Sequence, residues 1–119
     1  MQKKDKIYIA GHNGLVGSAI VRQLERRGFT GLITKTRAEM DLLNQEQVRA
    51  FFEEHKPDFV FLAAGKVGGV YANNTYRAEF IYENLVIQTN LIHQSYLSEV
   101  KKLIFFGCSS MYPQITSQP

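Results

Sequence analysis

Three glycines carry the clearest chemical potential in this chain. Gly11, Gly14 and Gly17 fall three apart in the stretch GHNGLVG. An apolar run, Ile7 to Ala10, precedes them, and a segment with helical apolar spacing follows. A glycine-rich turn between a strand and a helix suits a pyrophosphate, because free backbone N–H groups and the helix dipole both favour an anion there. In that reading Gly11 allows the tight turn, Gly14 lets the backbone approach the phosphates, and Gly17 lets the helix pack closely. His12, Asn13, Leu15 and Val16 complete the loop. The competing reading is a glycine-rich turn with no ligand.

A second group of residues bears on which ligand. A dinucleotide domain selective for an unphosphorylated ribose places Asp or Glu at the end of its second strand. The corresponding stretch here is ITKTRAEMDLLN, which puts Lys35 and Arg37 in that region. These two cations suit a 2′-phosphate, so NADP(H) is the expected cofactor; two solvated basic residues are the alternative. Asp41 and Leu42 are candidate adenine neighbours or a polar turn before a helix. Ala63 and Ala64 in LAAGKVGG are small enough for a cofactor to lie across the sheet edge. Lys66 is a cofactor contact or loop surface. In FFGCSSMYP, Phe106 and Gly107 lead to Cys108, Ser109 and Ser110, a thiol and two hydroxyls that could serve a reacting carbonyl. Phe106, Gly107, Cys108 and Ser109 are also candidate cofactor contacts. A polar turn before Pro113 is the plainer account. Tyr112 has Thr116, not Lys, four residues on, which argues against a Tyr–Lys proton-donor pair.

The elements that must position these residues alternate. Residues 7–10 form a first strand. Leu15, Val16, Ala19, Ile20 and Leu24 mark a helix that Gly28 caps. Residues 32–36 form a second strand. Asn44 is a helix N-cap with Gln47 at capping-box spacing; Val48, Phe51, Phe52 and His55 form the buried stripe, and Pro57 ends the helix. DFVFLAAG is a third strand. Residues 74–98 form a long helix, with a break near its start, and KLIFFG is a fourth strand. Such alternation predicts an α/β fold, a Rossmann-type parallel sheet of order 3-2-1-4, with the crevice between the first and fourth strands. The expected organisation is one unit over residues 1–119, the N-terminal part of an NADP-binding Rossmann domain, with later strands and the substrate-binding domain absent from this chain.

Composition narrows the classes. The 119 residues are 45% hydrophobic and 21% charged, and the formal net charge of +3 is spread over predicted helix surfaces, so a nucleic-acid partner is not expected. No run reaches the length of a membrane span and no secretory signal is visible, so a cytoplasmic protein without a membrane partner is expected. Cys108 is the single cysteine, and His12, His55 and His93 lie far apart, so no metal site is expected. Asn84 and Asn90 read either as buried polar anchors near the cofactor or as helix surface.

Together, GHNGLVGSAIV, DLLN, AAGKVGGVYANNTYRAEFIYENLVIQTNLIH and FFGCSSMYP make the chain resemble the GDP-L-fucose synthases, within the extended short-chain dehydrogenase/reductase family. The resemblance spans nearly the whole chain. It implies an NADPH-dependent cytoplasmic homodimer, joined through the 74–98 helix. Such an enzyme takes a GDP-sugar substrate, epimerises GDP-4-keto-6-deoxy-D-mannose at two carbons and reduces the ketone to GDP-L-fucose. Three departures stand out. Asn13 replaces the arginine usual in the first loop, leaving Lys35 and Arg37 more of the 2′-phosphate. The family's catalytic Ser maps to Cys108 and its epimerisation Cys maps to Ser110. The YxxxK pair, the catalytic His and most of the sugar-binding domain are expected beyond Pro119. A reductase or epimerase lacking the 3,5-epimerisation step, and a non-catalytic nucleotide-binding module, are the competing expectations.

Overall fold

The computed structural model describes residues 1–66, 70–108, 111–115 and 117. Four strands, β1 (Ile7–Ala10), β2 (Leu32–Ile33), β3 (Phe59–Leu62) and β4 (Lys102–Phe105), form one sheet. Four helices connect them: α1 (Leu15–Arg26), α2 (Gln45–His55), α3 (Val70–Thr75) and α4 (Arg77–Leu97). Every strand pair is parallel, as the alternation requires.

The strand order is β2-β1-β3-β4, which corrects the expected 3-2-1-4. Burial explains the difference. Ile7 through Ala10 are at most 1% exposed, so β1 needs a neighbour on each side and a helix layer on each face. β3 is the next most buried strand and pairs with β1 along its whole length, from Ile7↔Phe59 to Ala10↔Leu62. The half-buried β2 pairs over two positions, Ile7↔Leu32 and Tyr8↔Ile33, and residues 34–36 leave the sheet. β4 exposes Lys102 and Ile104 and takes the other edge. The reversal of strand order therefore falls between β1 and β3, not between the first and fourth strands.

Alternate strand residues feed two cores. Tyr8, Ala10, Val60 and Leu62 meet Val48, Phe51 and Phe52 of α2 and Ile87 and Leu91 of α4. Ile7 and Ile9 meet Leu24 of α1 on the opposite face. Phe51 and Phe52 pack edge-on at 5.5 Å between ring centres, and Phe51 also packs on Tyr8 at 4.5 Å. Burial pushes the Tyr8 phenol well above its ordinary pKa, so it stays protonated.

Local signals account for the helix ends. Gly28, with φ +82°, follows the α1 cap Arg27; its N–H bonds Glu25 O and that of Phe29 bonds Leu24 O. This is the Schellman arrangement, with Gly28 just past the cap. Lys56 in the left-handed region closes α2 one residue before Pro57. The long helix is α4, and Tyr76 (φ −116°, ψ 43°) separates it from α3. That is the break near the start of the 74–98 segment.

Candidate functional site

A cavity of about 540 Å³ opens where β1, β2 and β3 end. Three loops build its walls in the spatial order of their strands. The loop after β1 supplies Gly11, His12, Asn13 and Gly14, followed by Leu15 and Val16 of α1. The segment after β2 supplies Lys35, Arg37, Asp41 and Leu42, and that after β3 supplies Ala63, Ala64 and Lys66.

The glycines divide the work. Gly11 needs its left-handed φ of +82°, and a Cβ there would lie 2.5 Å from the Ala63 carbonyl oxygen. It therefore brings the loops after β1 and β3 together. Gly17 is buried behind the cavity, where a Cβ would collide with the Gly11 carbonyl. Gly14 differs: a Cβ there would meet just the Gly11 oxygen, at 3.5 Å, an ordinary contact. Protein packing does not demand a glycine at that position, and the bare backbone leaves room in the cavity. Gly14 is also the N-cap of α1, with no side-chain cap and no acid in the first turn. This cradle fits a diphosphate held by backbone N–H groups.

Beyond β2, the chain is shaped by its own side chains. Glu39 Oε1 accepts from the Thr36 N–H at 2.9 Å and the Glu39 N–H donates to Thr36 Oγ1 at 3.3 Å. The Thr36 backbone N–H foremost, and the Thr36 side chain after it, hold the Glu39 carboxyl below its ordinary pKa. Asp41 Oδ1 accepts from the Leu43 N–H, and Gln47 Oε1 accepts from the Asp41 N–H at 2.8 Å. This orders a segment that has no strand or helix. It presents Lys35 and Arg37 at the rim and Met40, Leu42 and Leu43 as an apolar wall.

On the far side, Lys66 Nζ lies 3.2 Å from Glu79 and 3.5 Å from Glu83. The Glu79 hydrogen bond, with the Glu83 charge behind it, raises the Lys66 pKa. Lys66 is thus a held cation, not an amine poised to lose its proton.

Phe106, Gly107 and Cys108 do not line this cavity. β4 lies one strand beyond β3, and Phe106 stacks on Phe61 with ring centres 6.5 Å apart. Cys108 is exposed and its carbonyl accepts from the Met111 N–H. Ser109 and Ser110 lie outside the described residues, as does Thr116. Thr36, Met40, Leu43, Gly65, Glu83 and Ile87 also line the cavity without having been singled out from sequence. The T-x-x-E spacing of Thr36 and Glu39 was a readable signal for the turn. Met40 and Ile87 carry no polar mark that separates wall from core. No group of His, Cys, Asp or Glu that could hold a metal occurs among the described residues, and none of their helices is long and apolar enough to cross a membrane.

Residues 7–119 match the model of the NAD dependent epimerase/dehydratase family. The chain belongs to that family. Over 117 residues it is 58% identical to GDP-L-fucose synthase 1 of Arabidopsis thaliana, covering 98% of this chain and 36% of the relative. It is 51% identical to GDP-L-fucose synthase of Escherichia coli (strain K12), covering 98% of this chain and again 36% of the relative. Among solved structures, MlghC, a GDP-mannoheptose C4 reductase from Campylobacter jejuni with NADP bound, superposes with a TM-score of 0.94 at 55% identity. That match covers 100% of this chain and 38% of the other. The chain therefore spans little more than a third of the relatives it matches.

Proposed function

We propose that this chain is the N-terminal part of an NADP-binding Rossmann domain. The whole protein would be an NADPH-dependent epimerase-reductase that converts GDP-4-keto-6-deoxy-D-mannose to GDP-L-fucose. The observation that carries the proposal is the cavity that joins the uncapped α1 N-terminus at Gly14 to Lys35 and Arg37. The identities to enzymes named GDP-L-fucose synthase support the substrate class.

Residues Gly11 to Val16 hold the diphosphate through backbone N–H groups, with Gly17 supporting the turn. Lys35 and Arg37 take the 2′-phosphate, with Asp41 and Leu42 beside the adenine. Ala63, Ala64 and Lys66 border the rest of the dinucleotide. Phe106, Gly107, Cys108 and Ser109 are assigned to the dinucleotide as well, and Cys108, Ser109 and Ser110 to the reacting sugar, whose carbonyl the thiol and hydroxyls would orient. NADPH, when bound, supplies the hydride for ketone reduction. The protein is further proposed to be a cytoplasmic homodimer joined through α4, whose Ile81, Leu85 and Ile92 are exposed. Sedimentation of the full-length protein tests this; a monomer at high concentration refutes it.

The test of function follows NADPH consumption by the full-length protein with the keto sugar and identifies the product. GDP-L-fucose is the expected product, and absence of NADPH consumption overturns the reading. One sequence observation favours a second reading. Ser110 stands where the resembled enzymes carry the epimerisation cysteine, and a hydroxyl is a far weaker acid than a thiol. A reduced sugar with unchanged configuration at the two neighbouring carbons would establish a reductase without epimerisation.

A further inference from the structure

Two asparagines of α4 reach out of the helix to different loops of the cavity. Asn84 Oδ1 accepts from the Lys66 N–H at 2.7 Å, and Asn84 Nδ2 donates to the Lys66 carbonyl at 3.1 Å. Asn90 Nδ2 donates to the Leu42 carbonyl at 2.8 Å. Lys66 and Leu42 both line the cavity, and they follow the strands that flank β1 on either side. The two asparagines are separated by roughly 9 Å of helix at 1.5 Å per residue.

We propose that α4 sets the span of the dinucleotide cavity through these clamps, with Asn90 positioning the wall for the adenosine half and Asn84 positioning the wall for the remainder. The inference rests on the cofactor reading above. Asn84 uses both ends of its amide on one residue, bonding the backbone N–H and C=O of Lys66. A carboxylate there would keep the acceptor and lose the donor; a hydrocarbon would lose both. Gly65 fits this use, since a Cβ there would lie 2.8 Å from Asn84 Oδ1. Asn90 is 7% exposed, on the helix that also buries Ile87 and Leu91. A buried amide is costly unless it is hydrogen-bonded. Its bond to Leu42 exists while the 36–44 segment stays against the helix. One rigid helix thereby fixes two loops that have no ladder of their own at these positions.

The experiment measures dissociation constants for NADPH and for adenosine 2′,5′-bisphosphate on the full-length protein. Asn90→Ala is expected to weaken both ligands roughly tenfold, because the wall that both touch is loosened. Asn84→Ala is expected to weaken NADPH roughly tenfold and leave the bisphosphate within about twofold. Gly65→Ala, which presses on the same clamp from the loop side and leaves the sequence of α4 unchanged, is expected to repeat the Asn84→Ala pattern. It decides the matter should the asparagine variants fail to fold. Equal losses for both ligands in Asn84→Ala or Gly65→Ala, or no loss in either, overturn the inference. Wild-type protein that binds neither ligand overturns the cofactor reading and the inference with it. Wild-type binding without this split overturns the inference alone.

Discussion

At the start of α2 the Asn44 side chain accepts from the Gln47 N–H at 3.1 Å, and Glu46 adds an acid to the first turn. At the start of α1 the cap is Gly14, with no side-chain acceptor and no acid in the first turn. Both helices present the same orphaned donors and the same positive dipole end. In α2 the chain satisfies them from its own sequence, and neither Asn44 nor Gln45 lines the cavity. In α1 the sequence withholds an acceptor, and Gly14, Leu15 and Val16 do line it. The contrast teaches how the two ends differ: α1 leaves its end open, as the proposed diphosphate site requires, whereas α2 closes its own.

The largest effect expected is at the turn that holds α1 in place. Gly17→Ala drives a methyl group into the Gly11 carbonyl, which is backbone and cannot swing aside. A cost of roughly 2–4 kcal/mol is expected from strain and displacement, with NADPH binding lost. Urea unfolding and cofactor titration on the full-length protein check both. A stable variant with unchanged affinity would break the comparison, because the α1 N-terminus would not depend on this contact.

Next in size is the charge at the cavity rim. Arg37→Ala should weaken NADPH by roughly 10- to 150-fold, the range for a lost charge-assisted bond, and leave NADH nearly unchanged. Equal losses for both cofactors would detach Arg37 from the 2′-phosphate.

The comparison sharpens with a matched pair. Asn44→Ala should cost about 1 kcal/mol of stability and reduce cofactor affinity far less than Gly14→Ala, since Asn44 itself does not line the cavity. Gly14→Ala should do the reverse. Its methyl group meets no more than an ordinary contact in the protein, but it enters the space proposed for the diphosphate. Parallel melting and binding curves for the two variants test this crossed pattern. Equal affinity losses in both variants would erase the distinction between the two ends.

Much of this was legible in the sequence because it rests on local chemistry. The cap at Asn44, the stripe of Val48, Phe51 and Phe52, and the strand–turn–helix at Gly11 depend on residues a turn or less apart. Strand order was not legible, because it depends on which strand is buried on both faces. The extent of β2 was misjudged for a related reason. Residues 34–36 have strand-like neighbours in sequence, but no ladder partner there in the fold. Asn84 and Asn90 were visible as polar residues in an apolar helix, yet nothing local separates an anchor from a surface amide. Their partners are Lys66 and Leu42, reached through packing that brings distant segments together.

The smallest effect expected concerns another backbone amide that the chain satisfies for itself. Asp58 Oδ2 accepts from the Lys6 N–H at 2.9 Å, and Asp58 Oδ1 lies 3.5 Å from Lys101 Nζ. The Lys6 backbone hydrogen bond, more than the Lys101 charge, holds the Asp58 carboxyl below its ordinary value of 3.8. A carboxyl with a lower pKa in the folded state is more readily protonated in the unfolded chain. Its contribution is therefore present in full above the unfolded value and is lost as pH falls through the folded one. Asp58→Asn keeps a carbonyl acceptor for Lys6 but carries no titrating group. Urea midpoints measured from neutral pH down through the acid range should fall less steeply for Asp58→Asn than for the wild type. Glu39 and Glu46, also held below their ordinary values, still titrate in the variant, so its curve flattens without becoming level. Curves that run parallel throughout would show that the charge on Asp58 adds nothing to the hydrogen bond. The entry of β1 would then be held as the α2 N-terminus is, by a neutral acceptor's geometry alone.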